Sequence, residues 1–297
     1  MTEPTTRARG VQLGAFVRKH GVDRGRSLWV GVILLTVIVG LCIVVPVVWP
    51  DPADALVAAP YQAPSLRHPF GTDSVGRDLF VRTFAGGRID LIVATLVVGV
   101  SLIVGTLIGT LAGASTRRGV DSSLMRLLDA LIAFPFVILI LVLVVLFGPD
   151  RTLGPMPAGL PATVIAFLLV GWAYYARLAR AQTLALRGSE HVLAARILGY
   201  SQLRIVIRHL APGVARVTAA YAVGDAILAV VVIASLAFLG AGVQPPTPEW
   251  GNIMYEGRAF VGTAWWITVA PGVMLAITGV ALSLVADALL SGDRGRR

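Results

Sequence analysis

Six long runs of apolar residues limit what this chain can fold into. Five of them contain no charged residue, and the remaining one is interrupted only by Asp225. A bilayer crossing needs about 20 predominantly apolar residues, and backbone groups in lipid must bond within their own segment. Each run therefore predicts a membrane-spanning helix, and together they predict an all-α, six-helix membrane protein. In chain order the predicted spans are Ser27–Pro50, Leu91–Thr116, Ala130–Pro149, Thr152–Ala176, Val217–Gly242 and Ala259–Ala286.

The basic residues are distributed unevenly between the segments that join the spans. With the amino terminus inside, 19 of the 25 Lys and Arg residues fall on the cytoplasmic side. This positive-inside bias explains the net charge of +9 without a nucleic-acid partner. We predict a multi-pass protein of a bacterial plasma membrane, in contact with lipid, with both termini in the cytoplasm.

The spans divide the chain into three regions. We predict a cytoplasmic tail over residues 1–26, a transmembrane domain over 27–290 and a basic cytoplasmic tail over 291–297. Within the domain, residues 51–90 form an extracytoplasmic loop, rich in proline, and residues 177–216 form the longest cytoplasmic segment.

Enzyme motifs are poorly represented. Gly71 and Gly76 have the spacing of a phosphate-binding loop, but Arg77 replaces its lysine and Asp78 replaces the hydroxyl that would bind magnesium. The stretch also falls outside the cytoplasm, where no ATP is expected. The histidines lack metal-ligand spacing, and no G-x-S-x-G motif is present. We predict no catalytic residue, metal site or cofactor in this chain.

The cytoplasmic segment "SEHVLAARILGYSQLRIVIRHLAPG" predicts two short helices. Ser189 is expected to cap the first and Gly199 to end it. Ser201 is expected to cap the second, and Pro212 to end it. The pair is either a simple connection between two spans or a docking element, because small residues permit close approach by another protein and arginines can orient it.

This segment resembles the EAA loop of ABC importer permeases, whose pattern is Glu-Ala-Ala, three residues, Gly, nine residues, Ile-x-Leu-Pro. Leu193 stands in place of the pattern's glutamate, while His209 and Ala211 replace its isoleucine and leucine. The resemblance implies contact with an ATPase through Glu190, Ala194, Ala195, Arg196, Gly199, Tyr200, Arg204 and Pro212.

The extracytoplasmic stretch "FGTDSVGRD" is similar to the signature of dipeptide/oligopeptide permeases of the C-type subunit. Segments 126–135, 237–254 and 264–272 extend the similarity. The resemblance implies a type I ABC importer permease fold. The signature residues are Gly71, Thr72, Asp73, Gly76, Arg77 and Asp78.

The roles of the outer loops stay open at this point. In the signature, Gly71 permits a tight turn, Thr72 or Asp73 can cap the next turn, and Asp73 can pair with Arg77. The stretch is either a self-bonded structural loop or a contact for a binding protein or partner subunit. The same alternatives apply to the second outer loop, where Trp250 is expected at the membrane interface. Its candidate residues are Pro245, Pro246, Trp250 and Gly251.

Three further expectations concern the membrane region. A short interfacial helix around Phe80 and Phe84 is expected before the second span, with Arg82 off its apolar face. Asp225 either lines the pathway, where it could meet a peptide's amino group, or bonds to a partner helix. Glycines spaced every four residues in the second span favour close helix packing, at Gly105, Gly109 and Gly113.

The resemblance implies a permease subunit that forms half of a translocation pathway. The implied partners are a homologous permease, two cytoplasmic ABC ATPases that bind ATP and magnesium, and an extracytoplasmic solute-binding protein. Di- or oligopeptides are the expected cargo, with nickel, glutathione or haem as alternatives. An ion-coupled secondary transporter would need coupling charges in the membrane, for which Asp225 is the clear candidate. A membrane scaffold or receptor protein is the other alternative, and it would transport no substrate when reconstituted with its partners.

Overall fold

The computed structural model describes residues 24–115, 118–154 and 156–294. Within these ranges the chain contains ten α-helices and no β-strand beyond isolated bridges. The helices are α1 (Arg24–Val48), α2 (Leu79–Ala114), α3 (Arg118–Ala133), α4 (Phe136–Phe147), α5 (Leu160–Arg187), α6 (Glu190–Ile197), α7 (Gln202–Ile205), α8 (Ala211–Phe238), α9 (Trp250–Gly257) and α10 (Trp266–Arg294). A π-helical turn, Val206–Leu210, joins α7 to α8, and a 3-10 turn, Arg258–Phe260, follows α9.

Five helical units of the described chain are long and apolar enough to cross a membrane. They are formed by α1, α2, α5, the continuous unit from α7 to α8, and α10. The all-α prediction is thus confirmed, with a sixth crossing available only from a bent helix pair.

The third predicted span is a broken pair instead of one helix. Its two parts, Ser123–Ala133 and Phe136–Phe147, meet at an angle of 90°. The break falls at Pro135, which has no N–H to donate and disfavours helical backbone in the residue before it. With 12 residues, α4 reaches only about 18 Å, which is short of the roughly 30 Å hydrocarbon core.

Several predicted helix ends are also wrong. No separate interfacial helix precedes the second span, because α2 begins at Leu79 and continues without a break. Pro212 does not end a helix; it lies in α8 directly after the π-helical turn Val206–Leu210, and the helical unit continues through it. The last span begins at Trp266, after a turn region that the sequence assigned to it.

The predicted tails fall mostly outside the described residues. Of the tail predicted over 1–26, residues 24–26 belong to α1, and of that over 291–297, residues 291–294 belong to α10. The remaining tail residues are not described.

The most extensive helix contact joins α2 to α5, and glycine makes it possible. A Cβ atom on Gly109 would collide with the carbonyl oxygen of Ala176, and one on Gly113 would meet the Thr183 side chain. Gly105 likewise faces the backbone of α5. This stripe lets the two helix backbones approach closely, as the four-residue spacing predicts.

The main hydrophobic core lies among α1, α2, α4, α5 and α8. Its buried members include Val97 of α2, Ile140 of α4, Phe167 of α5 and Ile233 of α8. Cys42 of α1 is also buried there, as a free thiol.

The two polar regions singled out by the sequence lie at opposite ends of α2. Residues 51–78 precede its first turn, while α6 and α7 pack beside its last residue, Ala114. A helix of 36 residues is about 54 Å long, so the two regions are separated by the membrane thickness.

Candidate functional site

The connection between α5 and α8, residues 188–210, forms the hairpin predicted from the sequence. Gly199 follows the C-cap of α6 with a φ of +75°, a backbone conformation that favours glycine. Ser201 caps α7 by accepting a hydrogen bond from the Arg204 N–H at 3.4 Å. Ser189 does not cap α6, because its hydroxyl donates to the Leu186 carbonyl at 2.6 Å.

The inner face of the hairpin is attached to the end of α2. Val192, Ala195 and Ile205 pack in a buried cluster with Ala114. Arg187 donates to the Gly113 carbonyl at 2.8 Å, and Gln202 donates to that of Ala114 at 3.2 Å. These carbonyls belong to the last turn of α2, where no intrahelical donor remains. The hairpin and the end of α2 are therefore packed and hydrogen-bonded to each other.

The outer face of the hairpin presents apolar side chains to solvent. Ile197 is 87% exposed and Leu198 70%, whereas Leu203, which is 66% exposed, borders an apolar pocket between α2 and α8. Beside them, the guanidinium of Arg204 stacks 5.1 Å from the ring centroid of Tyr200. An exposed apolar group beside charged residues is typical of a protein-interaction surface.

The hairpin residues named from the sequence divide between these two faces. Ala195 is not available for close approach by another protein, since it is buried in the hairpin's own core. Pro212 is exposed but lies beyond the hairpin, in α8. The remaining six are exposed: Glu190, Ala194, Arg196, Gly199, Tyr200 and Arg204.

At the other end of α2, the signature loop (residues 51–78) depends on two glycines. Gly71 and Gly76 have φ angles of +77° and +93°. A Cβ on Gly71 would also lie 2.8 Å from the indole nitrogen of Trp266, and one on Gly76 would collide with the Ala58 carbonyl. Both positions therefore require glycine for conformation and for space.

Asp73 organises the turn that follows. Its Oδ1 accepts hydrogen bonds from the N–H groups of Val75 and Arg77, at 3.0 and 2.9 Å, and its Oδ2 pairs with Arg77 Nε at 2.5 Å. The expected i,i+4 pair is thus present. The same guanidinium reaches Glu256 of α9, Nη2 to Oε2, at 2.8 Å.

Thr72 and Asp78 connect the loop to other elements. The Thr72 hydroxyl donates to the Ala59 carbonyl at 2.8 Å, so it does not cap the turn. Asp78 caps α2 through the Phe80 N–H at 2.8 Å, and its second oxygen contacts His68 Nδ1 at 2.8 Å.

Arg82 is the residue of this region that the sequence reading misplaced. It was assigned to the polar side of an interfacial helix, but its side chain is completely buried. Nη1 lies 3.3 Å from each of three oxygens, on Ala53, Asp54 and Pro246, and Nε lies 3.4 Å from Asp73 Oδ2. Arg82 therefore connects both outer loops to α2.

The second outer loop, residues 239–249, is closed by Trp250. This tryptophan was expected at the membrane interface, but it is fully buried, with its indole N–H donating to the Thr83 carbonyl at 2.7 Å. Gly251 packs against the backbone of Ala234. Pro245 and Pro246 are exposed at the loop surface.

Glu249 begins α9 in the same buried region. Its two carboxyl oxygens accept from the N–H groups of Gly251 and Asn252, at 2.9 and 2.8 Å. Burial raises the pKa of the Glu249 carboxyl, although those two N–H groups and the neighbouring Asp90 carboxyl act in the opposite direction.

Asp225 lies in the middle of α8 and faces α5. Its Oδ2 accepts a hydrogen bond of 2.8 Å from the Tyr175 hydroxyl. The side chain also borders a pocket with a volume of about 90 Å³. The rest of the wall is mostly apolar and aromatic: Val97, Val98, Ser101, Phe136, Phe167, Gly171, Tyr174, Tyr221, Leu228 and Ala229.

Sequence reasoning missed most partners of these groups. Arg187, Gln202 and Tyr175 carried no motif, and Glu256 lies 179 residues from Arg77. For Arg187, its position among polar residues after an apolar run was the available signal that it lies at a helix end. No local pattern indicates which distant side chain Glu256 or Tyr175 meets.

Comparison with known proteins gives one consistent result. Residues 105–291 match the family model described as binding-protein-dependent transport system inner membrane component. The chain is 38% identical over 270 residues to a putative peptide transport system permease protein of Brucella suis biovar 1 (strain 1330), covering 90% of this chain and 86% of the relative. It is 34% identical over 271 residues to the di/tripeptide transport system permease protein DppC of Pseudomonas aeruginosa (strain UCBPP-PA14), covering 87% and 84%. For the dipeptide transport system permease protein DppC of Alkalihalophilus pseudofirmus, the identity is 33% over 266 residues, covering 88% and 83%.

Proposed function

The chain belongs to the family of binding-protein-dependent transport system inner membrane components, and we propose that it forms half of the translocation pathway of an ATP-driven peptide importer. As a member of this family it is a permease subunit of an ABC transport system in a bacterial plasma membrane, and such a subunit is not itself catalytic. An ATPase and a substrate-binding protein are the partners that the family implies.

The hairpin carries the mechanistic part of the proposal. Its outer face offers the exposed Ile197 and Leu198 to a partner. Gln202 on its inner face, and Arg187 just before it, donate to the last carbonyls of α2. A partner that moves on nucleotide binding would therefore move α2, and with it α5 through the glycine stripe. Coupling of this kind requires no catalytic residue in the permease.

The complete assembly proposed here contains five proteins. This chain pairs with a homologous permease, two ATPases bind ATP and magnesium and dock on the hairpins, and a solute-binding protein delivers di- or oligopeptides at the opposite face. The names of the relatives support peptide as cargo in preference to nickel, glutathione or haem.

Purification in mild detergent tests the assembly. Affinity-tagged chain should recover a second permease and ATPase subunits from membranes, and proteoliposomes of the complex with its binding protein should take up peptide only with ATP. Recovery of the chain alone, from preparations that retain known complexes, would favour an ion-coupled transporter. Uptake of a metal or haem without peptide uptake would reject peptide as the cargo.

A matched pair of variants tests the docking surface. Ile197→Asp places a charge in the exposed apolar face and should abolish ATPase recovery. Leu56→Asp makes the same change on an exposed residue of the signature loop and should leave ATPase recovery unchanged. Equal ATPase recovery with both variants would show that the hairpin is only a connection between spans.

A further inference from the structure

We propose that the pocket beside Asp225 binds a primary ammonium group of the transported peptide. The inference rests on the function proposed above and names the chemical group that the membrane pathway recognises. Three observations carry it: the charge of Asp225, the composition of the pocket wall, and the second pocket that adjoins it.

The first observation is the incomplete pairing of the Asp225 carboxylate. Among the described residues, only the neutral Tyr175 hydroxyl bonds to it, and no Lys, Arg or His forms an ion pair with it. Asp225 lies 14 residues into a 28-residue helix of a membrane span. A carboxylate at such depth is costly unless it meets a cation or water. The arrangement is therefore complementary to a positive charge that the described chain does not supply.

The second observation is the aromatic wall around that carboxylate. Phe136 lies edge-on to both Phe167 and Tyr174, with ring centroids 5.6 Å apart in each case. Tyr221 packs edge-on to Tyr175 at 5.3 Å, so the tyrosine that holds Asp225 is itself fixed by a neighbour. Aromatic faces attract organic cations, and a carboxylate within the same pocket adds a charged hydrogen-bond acceptor.

The third observation is a second pocket that shares two wall residues with the first. Tyr174 and Tyr221 also line a second pocket, with a volume of about 420 Å³, whose wall includes Arg177. Arg177 already pairs with Asp129, at 3.1 Å. The two pockets thus follow the α5 and α8 surfaces toward the hairpin end, as a route for a passing substrate would.

The charge of the ligand follows from these contacts. A peptide carboxylate would be repelled by Asp225, and a fully apolar ligand would leave the carboxylate without a counter-charge. A primary ammonium provides three donors and a full positive charge. A peptide carries it either at its free amino terminus or on a lysine side chain, and the pocket recognises the group common to both.

Direct binding to the purified complex provides the test, because it excludes selection by the solute-binding protein. We would measure binding of three probes to the detergent-solubilised complex without that protein: Ala-Ala amide, N-acetyl-Ala-Ala amide and N-acetyl-Ala-Lys amide. The wild-type complex should bind the first at least about tenfold more tightly than the second. The lysine probe identifies the source: tight binding means that a side-chain ammonium suffices, and weak binding means that the terminal ammonium is required.

Asp225→Asn should remove the difference between the free and acetylated probes. Tyr175→Phe keeps the carboxylate but removes the hydrogen bond that holds it. This variant should weaken binding of Ala-Ala amide, but less than Asp225→Asn does. Asp150→Asn removes an exposed carboxylate outside the pocket and should change nothing. The complexes are compared by gel filtration and ATPase recovery, so that a folding defect is recognised. If Asp225→Asn fails to assemble, the wild-type probe series and Tyr175→Phe still test whether the pocket binds an ammonium group.

Equal wild-type affinity for the free and acetylated probes would overturn the inference. So would an assembled Asp225→Asn complex that retains the difference, since Asp225 would then serve a partner helix. Uptake separates these results from the proposed function: a wild-type complex without ATP-dependent peptide uptake rejects the function, whereas normal uptake without ammonium preference rejects the ammonium pocket alone.

Discussion

Nη2 of Arg77 donates a 2.8 Å hydrogen bond to Oε2 of Glu256, and the two residues are 179 positions apart in the chain. Arg77 belongs to the signature loop and Glu256 to α9, the helix that follows the second outer loop, so the pair joins the signature loop to α9. Both side chains are largely buried. The completely buried guanidinium of Arg82 lies 3.9 Å from the Glu256 carboxylate and 3.4 Å from that of Asp73, which also pairs with Arg77. The signature residues thus bond to one another and to α9.

Replacing Arg82 by glutamine should destabilise the outer end of the protein. The change leaves Asp73 with less positive charge and removes the donor shared by Ala53 and Pro246. Loss of one partner from a buried ion-pair group costs about 3–5 kcal/mol. Thermal unfolding in detergent should show a clear decrease in melting temperature, and residues 51–78 should become more sensitive to protease. Arg88→Gln, on an exposed arginine of the same helix, is the control. Similar melting temperatures for both variants would contradict this role of Arg82.

Alanine at Gly109 and at Gly99 should have opposite effects. At Gly109 the added Cβ would collide with the α5 backbone, whereas at Gly99 nothing lies within 4 Å. Alanine favours helix over glycine by about 1 kcal/mol, so Gly99→Ala should be neutral or slightly stabilising. Gly109→Ala should destabilise by about 1–3 kcal/mol, because α2 and α5 must separate. Melting temperatures of the two purified variants provide the comparison, and equal values would show that the glycine stripe is not required for packing.

Gly199→Asp should uncouple ATP hydrolysis from transport while leaving the protein inserted. Gly199 is exposed, with no other atom near its Cβ position, so the aspartate adds bulk and charge to the surface proposed for ATPase docking. Its positive φ adds a strain that aspartate tolerates better than most residues. Gly262→Asp is the matched control, since Gly262 is equally exposed and open but lies in the turn before α10, outside the hairpin. Peptide-stimulated ATPase activity and uptake are measured in proteoliposomes. Normal coupling in Gly199→Asp would show that the turn at Gly199 is not part of the docking surface.

Glu249 should make stability depend on pH in an unusual direction. Because burial raises its pKa in the folded protein, its contribution is complete below the ordinary glutamate pKa of about 4.3 and is lost as the pH rises through the folded value. The difference in melting temperature between wild type and Glu249→Gln should therefore be greatest at low pH and decrease toward neutrality. Glu190→Gln, at an exposed residue, should show no such trend. A difference that grows with pH would mean that Glu249 is stabilised as a carboxylate.

The sequence predicted the parts of the fold that depend on local chemistry. Uninterrupted apolar runs indicated helices because lipid offers the backbone no other hydrogen-bond partners. Glycine spacing in α2 indicated its packing face, and Gly199 with Ser201 indicated the turn of the hairpin. Pro135 was visible too, but the length of the surrounding apolar run favoured a continuous span over the 90° break.

Burial of polar groups could not be predicted in the same way. Arg82 and Trp250 both have the composition of interfacial residues, and both are fully buried. Nη1 of Arg82 and the indole N–H of Trp250 donate to oxygens of distant segments, whereas Nε and Nη2 of Arg82 make no hydrogen bond within the described residues. Whether such partners exist depends on how distant segments come together.

The sequence by itself determined the membrane class, the number of apolar segments and the family, since each depends on residues that are near one another in the chain. Only the tertiary structure decided that Ala195 packs inward, that Arg77 meets Glu256, and that Asp225 shares a pocket with aromatic rings from α4 and α5. Those contacts join residues separated by tens to hundreds of positions, and the packing of α2 against α5 and α8 selects them.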